Sequence, residues 1–283
     1  MWKIEKIDRS SYSSIVEGEL YPKKYNKKIL KSLKKINIPD LNLNIGFEFE
    51  FFVKDKNLFL NKLSKIIPHS QQILINTEAC LKGNLKTWVL TSDSSLSSLK
   101  DFEGVELISP ILDYKLGFYY LENILKLLND DNIFVHNSCG LHIHISGEYN
   151  NKYKAKYIIL KSKELGLLEW KNRKYTRDIY QEIFSYRKKD QENIFNKVIR
   201  KCYNLNLNDL KNNHIEYRAI GGKNYHKKIN LIRNNFLNLI KLFEKTKINT
   251  KVYGDKKVIY INKLKFKNFK KALLSNSLII DLK

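Results

Sequence analysis

Four stretches of the chain alternate large apolar side chains with ionisable ones. In IGFEFEFF (45–52), Glu48 and Glu50 interleave with Phe47, Phe49 and Phe51. On a β-strand, successive side chains point to opposite faces, so the two glutamates share one face and the phenylalanines the other. GLHIHISG (140–147) sets His142 and His144 against Leu141, Ile143 and Ile145 in the same way. NHIEYRAIGG (213–222) sets Glu216 and Arg218 against Ile215, Tyr217 and Ala219, and GVELISPIL (104–112) holds Glu106 between Val105 and Leu107. Each pattern predicts a strand with one apolar and one ionisable face. Joined in one sheet, the apolar faces would pack under helices. The opposite faces would line a common cavity with Glu48, Glu50, Glu106, His142, His144, Glu216 and Arg218.

Helical spacing supplies the cover. Leu121, Ile124, Leu125 and Leu128 predict a helix over 114–130, and Ile229, Ile232, Phe236, Leu239 and Phe243 one over about 225–246. Residues 57–75 read as helical up to Pro68, and 152–200 as mostly helical. Ile29, Leu33 and Ile36 mark a basic surface helix that breaks at Pro39. TWVLTSDSSLSS (87–98) reads as a strand entering a serine-rich turn, and 256–274 as a strand followed by a helix. With no repeat and no long linker, the expected organisation is a basic N-terminal segment (1–40) and one α+β domain (41–283).

Composition narrows this. Of the 283 residues, 43% are hydrophobic and 12% aromatic, as in a folded globular protein. No apolar run is long enough to span a membrane and the N-terminus lacks a signal-peptide core, so the expected setting is soluble and cytoplasmic. Cys80, Cys139 and Cys202 are too few and too scattered for a disulfide framework or a paired-cysteine zinc site. The net charge of +23 raises the question of nucleic acid, but only seven of the basic residues are arginine. Arginine is the residue suited to bidentate phosphate and base contacts. Abundant lysine, asparagine, isoleucine and tyrosine are what an AT-rich coding sequence produces, so a nucleic-acid partner is not favoured.

The ionisable faces carry the chemistry. Two neighbouring glutamates repel unless a cation, or Lys or Arg, lies between them. Any one strand could be an ordinary amphipathic surface strand, Glu106 above all. Carboxylates gathered with imidazoles, by contrast, suit Mg²⁺ or Mn²⁺ better than zinc. A metal-dependent hydrolase or nuclease would use the same groups without ATP. A non-enzymatic nucleic-acid-binding protein would need only the charge and the seventeen tyrosines.

The motifs in this order resemble the glutamine-synthetase-like carboxylate–amine ligases, most closely their amidoligase branch. GFEFEFF matches the first metal-binding strand, GVELISP a later G-x-E strand, CGLHIHISG the H-x-H strand and IEYRAIGG the E-x-R strand. SDSSL is similar to the family's D-G-S turn, with Ser94 in place of the glycine. The resemblance implies a curved, mainly antiparallel sheet with helices on one face and the active site on the other. It implies an ATP-dependent ligase joining a carboxylate to an amine through an acyl phosphate, with Mg²⁺ or Mn²⁺ as cofactor. Glu50 and Glu106 would hold one cation; Glu48, His142 and Glu216 would hold the second. His144, Arg218 and Asp93 would contact the nucleotide, with Arg218 also stabilising the transferring phosphoryl group. Arg173, Tyr175 and Arg177 fall in the segment that varies with substrate and are expected substrate contacts.

Overall fold

The alternation at 43–53 forms the central strand of the sheet. In the computed structural model, the described residues are 43–67, 73–76, 87–96, 99–147, 152–168, 170, 176–184, 202–209, 212, 214–243, 248–253 and 256–261. Strand β1 (Leu43–Val53) is followed by helix α1 (Lys56–Leu63), β2 (Ile73–Asn76), β3 (Trp88–Ser92), β4 (Glu103–Ile108), β5 (Leu112–Asp113) and helix α2 (Tyr114–Leu127). Then come β6 (Ile133–Phe134), β7 (Gly140–Gly147), α3 (Lys152–Glu164), α4 (Ile179–Phe184), β8 (Leu205–Asn206) and β9 (His214–Gly221). A 3₁₀ turn (Tyr225–Lys227) leads into α5 (Ile229–Phe243), and β10 (Ile248–Tyr253) pairs with β11 (Lys256–Ile261) as a separate hairpin. The chain divides into two compact units, Met1–Leu242 and Phe243–Lys283.

The fold is α+β with a mostly antiparallel open sheet, in the order β2-β3-β4-β1-β7-β9-β8. Short β5 and β6 pair with the two ends of β1, and β2 with β3 is the parallel pair. Phe47, Phe49 and Phe51 are completely buried, as the alternation requires. Helices α2 and α5 cover that face. The Phe236 ring of α5 lies 6.1 Å from Phe47 and 5.6 Å from Phe118 of α2. At Gly117 the helix packs so closely that an added Cβ would sit 3.3 Å from Ile45 side-chain carbons, and Ile45 would have to give by a few tenths of an ångström to admit it. Tyr217 of β9 donates through its hydroxyl to the Leu167 carbonyl, and Asn235 Nδ2 of α5 donates back to that hydroxyl at 3.3 Å. Among the described residues no helix is long and apolar enough to cross a membrane.

Three expectations need adjusting. Asp55 caps α1, its Oδ1 accepting the Leu58 N–H at 2.9 Å, but the helix stops at Leu63 rather than running on towards Pro68. Lys65 and Ile66 instead donate three residues back, to Lys62 and Leu63, the tighter bonding of a terminal turn. The 152–200 stretch contains the two helices α3 and α4. The described residues between them (165–168, 170 and 176–178) are not helical, and 169, 171–175 and 185–201 lie outside the described residues. Strands β2 and β8 were not expected. The basic helix within 1–40 and the C-terminal helix after Ile261 also lie outside the described residues.

Candidate metal centre

Register gathers the ionisable face. Glu50 lies opposite Glu106 across β1–β4, Glu48 opposite His142 across β1–β7, and His144 opposite Glu216 across β7–β9. Directly opposite residues share a face and lie close enough for their side chains to touch. The motifs, up to 170 residues apart in sequence, therefore form one diagonal row across four neighbouring strands.

A β-bulge shapes the row's far end. Leu141 pairs with Ile220 and Ile143 with Tyr217, so Arg218 and Ala219 together stand opposite the single residue His142. Strict alternation would put Tyr217 and Ile220 on opposite faces. The extra residue lets both stay on the apolar face, where each is fully buried, while Arg218 joins the ionisable face. Gly222 then closes the strand at φ 89°, a conformation suited to glycine, and donates its N–H to the Cys139 carbonyl.

The side chains converge on His142, which is 2% exposed. Its Nδ1 lies 2.6 Å from Glu48 Oε2 and 3.5 Å from Glu216 Oε1, and its Nε2 lies 3.3 Å from Glu50 Oε1. The imidazole thus bridges the two glutamates of the first strand. Ligand atoms of Glu48, His142 and Glu216 all fall within 4.8 Å of one another, as do those of Glu50, Glu106 and His142. These two groups share His142.

Around them stand polar groups with partly free valences. Arg218 Nη1 donates to Glu216 Oε1, yet its Nε is buried without a hydrogen-bond partner among the described residues. His144 Nε2 forms an ion-pair contact with Glu48 Oε1 at 3.0 Å. The Nδ1 of His144 meets His214 Nε2 at 3.1 Å. The ring centroids are 5.2 Å apart and the ring planes lie within 7° of parallel. His214 Nδ1 is 3.3 Å from Asp209 Oδ2.

Charge is unevenly distributed across the cluster. Burial, reinforced by the negative charges of Glu48, Glu50 and Asp93, pushes the Glu106 carboxyl up to about 9. Burial also opposes ionisation of Glu48, but contacts with His142 and His144 outweigh it and hold that carboxyl well below its ordinary range. Glu216 is likewise lowered, against burial, by His142, His144 and Arg218. His144 is raised because its contact with Glu48 overcomes burial, and His214 is lowered by burial and by the neighbouring His144. Without a metal, burial first and then the surrounding negative charge favour the protonated form of Glu106. Oxygen-rich groups with one shared imidazole and an excess of negative charge are a donor set that suits hard divalent cations.

Asp93 sits in the turn after β3, donating its N–H to the Gly104 carbonyl and accepting the Ser95 N–H at 2.8 Å. It belongs to neither donor group, although its charge reaches Glu106. Arg173 and Tyr175 lie outside the described residues. Arg177 is exposed, and among the described residues no contact joins its side chain to the clustered glutamates and histidines. Its backbone bonds to Cys202 and Asn204, and its side chain lines an open cavity of about 420 Å³ with Asp178, Gln181 and Glu182. Sequence reasoning passed over Asn206, His214 and Asp209. The alternation Asn204-Leu205-Asn206-Leu207-Asn208 was the available signal for a strand with a polar face at Asn206.

Comparison with known proteins yields one family match. Residues 41–239, more than half of the chain, match the family model described as "putative amidoligase enzyme", a ligase-type description. No curated protein matches the chain.

Proposed function

The chain belongs to this amidoligase family, and from that premise we propose that it is an ATP- and Mg²⁺-dependent carboxylate–amine ligase with a glutamine-synthetase-like active-site sheet. The observation that carries the reading is the pair of donor groups sharing His142, one built on Glu48 and Glu216 and the other on Glu50 and Glu106. Mn²⁺ would serve in place of Mg²⁺. Partners are a carboxylic acid and an amine, and dependence on ATP makes a cytoplasmic setting part of the proposal.

The reaction has two steps. A substrate carboxylate oxygen attacks the γ-phosphorus of ATP, the bond to the bridging oxygen breaks, and ADP leaves. The amine nitrogen then attacks the acyl phosphate carbonyl, phosphate departs, the nitrogen loses a proton, and an amide remains. Divalent cations would offset charge on the phosphate oxygens and the attacking carboxylate.

The residues of this chain supply the setting. Glu48, His142 and Glu216 would hold the cation on the nucleotide side, and Glu50 with Glu106 the one beside the attacking acid. Arg218, held at one end by Glu216, has its Nε left to donate to the transferring phosphoryl group. His144, charged beside Glu48, would add positive charge near the phosphates, and Asp93 would approach the nucleotide from the β3 turn. Fixed donors of this kind stabilise developing charge without the reorganisation that water would need.

The test follows an oxygen atom. With ¹⁸O in the carboxylate of an acid found by screening acids and amines for ATP-dependent phosphate release, one labelled oxygen should appear in inorganic phosphate, with ADP as co-product. Arg218→Lys should retain nucleotide binding and lose about a hundredfold or more in turnover, because a point charge cannot reproduce the planar fork. Label in AMP would replace the acyl phosphate with an adenylate. Turnover without ATP would point to a hydrolase.

A further inference from the structure

The Glu216 carboxylate is held at both ends. Arg218 binds Oε1, the oxygen that also faces His142. On the other side, Asn206 Nδ2 donates to Oε2 at 2.6 Å from the strand position directly opposite Glu216. Asn206 is 7% exposed, and its own amide cannot turn over without loss. Its Oδ1 accepts the Asn208 N–H at 3.0 Å, which leaves the NH₂ end for the carboxylate.

We propose that Asn206 is a positioning residue for Glu216, fixing the rotation of the carboxylate so that Oε1 keeps facing His142. The inference rests on the reading of Glu48, His142 and Glu216 as a cation-holding group. Without the Asn206 donor, Arg218 is the one described side chain that donates a hydrogen bond to this carboxylate, and it pulls from the side of the bulge. A charged donor is the stronger of the two. Asn206 acts against that pull, from a strand on the other side of Glu216. Partners of metal ligands commonly set affinity in this way without touching the metal.

The experiment uses Mn²⁺ alone, with no nucleotide, titrated into the full chain and read by the paramagnetic resonance signal of free Mn²⁺. Asn206→Leu keeps the volume and removes the donor, and Asn206→Ser keeps a shorter donor. Each is first checked for native circular dichroism and melting. The expected result is Mn²⁺ affinity about tenfold to a hundredfold weaker in the leucine variant, with the serine variant between it and the unaltered chain. A lower melting temperature with unchanged Mn²⁺ affinity would assign Asn206 to structure alone and overturn the proposal. If neither variant folds, the Asn206 side-chain amide resonance of the unaltered protein decides. It should shift on Mg²⁺ addition with the same midpoint as binding, and an unmoved signal overturns the proposal. Failure of the unaltered chain to bind Mn²⁺ would remove the cation reading itself. That outcome is distinct from tight binding that survives both substitutions.

Discussion

Glu50→Gln and Glu216→Gln should each lower amide-forming turnover about a thousandfold while leaving a folded protein, the scale expected when one fixed electrostatic contact to the reacting centre is lost. Both substitutions keep the shape of the side chain and remove its charge. Glu50 belongs to the donor group with Glu106, and Glu216 to the one with Glu48, so the two variants should lose cation binding at different places. Their stabilities should also differ. The Glu216 carboxyl is lowered by His142, His144 and Arg218, so its ionised form stabilises the native state above the ordinary carboxylate range, and that contribution is lost as pH falls. Glu216→Gln should therefore unfold at lower denaturant than the unaltered chain at pH 7, and the gap should narrow towards acid. Steady-state kinetics with urea titration at several pH values checks both halves. Full activity in either variant would remove that residue from the reaction.

Glu106→Gln should do the reverse to stability, and by more. With its carboxyl raised to about 9, Glu106 keeps a proton in the native state that it has lost in the unfolded chain between about pH 4.5 and 9. The native state then binds more protons across that window, so stability falls as pH rises, by up to about 1.4 kcal/mol per pH unit for one such group. Glutamine has no proton to lose. In metal-free buffer the variant should match the unaltered protein near pH 4 and exceed it increasingly towards pH 8. Added Mn²⁺ should reverse the order, because the charge that destabilises the empty cluster is the charge a cation needs. Urea titrations at pH 4, 6 and 8, with chelator and then with Mn²⁺, give the comparison. Parallel curves for the two proteins at all three pH values would mean that Glu106 does not hold a proton in the native state.

Much of this arrangement was legible because period-two alternation is a local signal with a long-range consequence. Glu48, Glu50, His142, His144 and Glu216 had to share a face within each strand, and apolar partners such as Phe47 and Tyr217 said which face was buried. Alternation does not give register. That Glu50 meets Glu106, or that one imidazole bridges two glutamates, depends on strand pairing across large sequence separations. The bulge opposite His142 was hidden for a similar reason. Ala219 and Ile220 read as a continuing strand, and only the pairing shows that an extra residue is accommodated there. Strand β8 was missed because a two-residue strand inside a run of alternating asparagine and leucine looks like a loop, although Leu205 and Asn206 already point to opposite faces. The early end of α1 reflects bonding in its last turn, where Ile66 and Ile67 keep the apolar spacing of a helix without both its hydrogen bonds.

The central claim is that this cluster binds nucleotide through divalent cations, and calorimetric titration of ATP with and without Mg²⁺ tests it most directly. The account predicts saturable ATP binding when Mg²⁺ is present and little or none in chelator. It also predicts a matching stabilisation of about 2.7 kcal/mol at one hundred times Kd, and loss of both in Glu216→Gln. ATP binding of equal strength in chelator, or no binding with Mg²⁺ at any concentration tried, would contradict it.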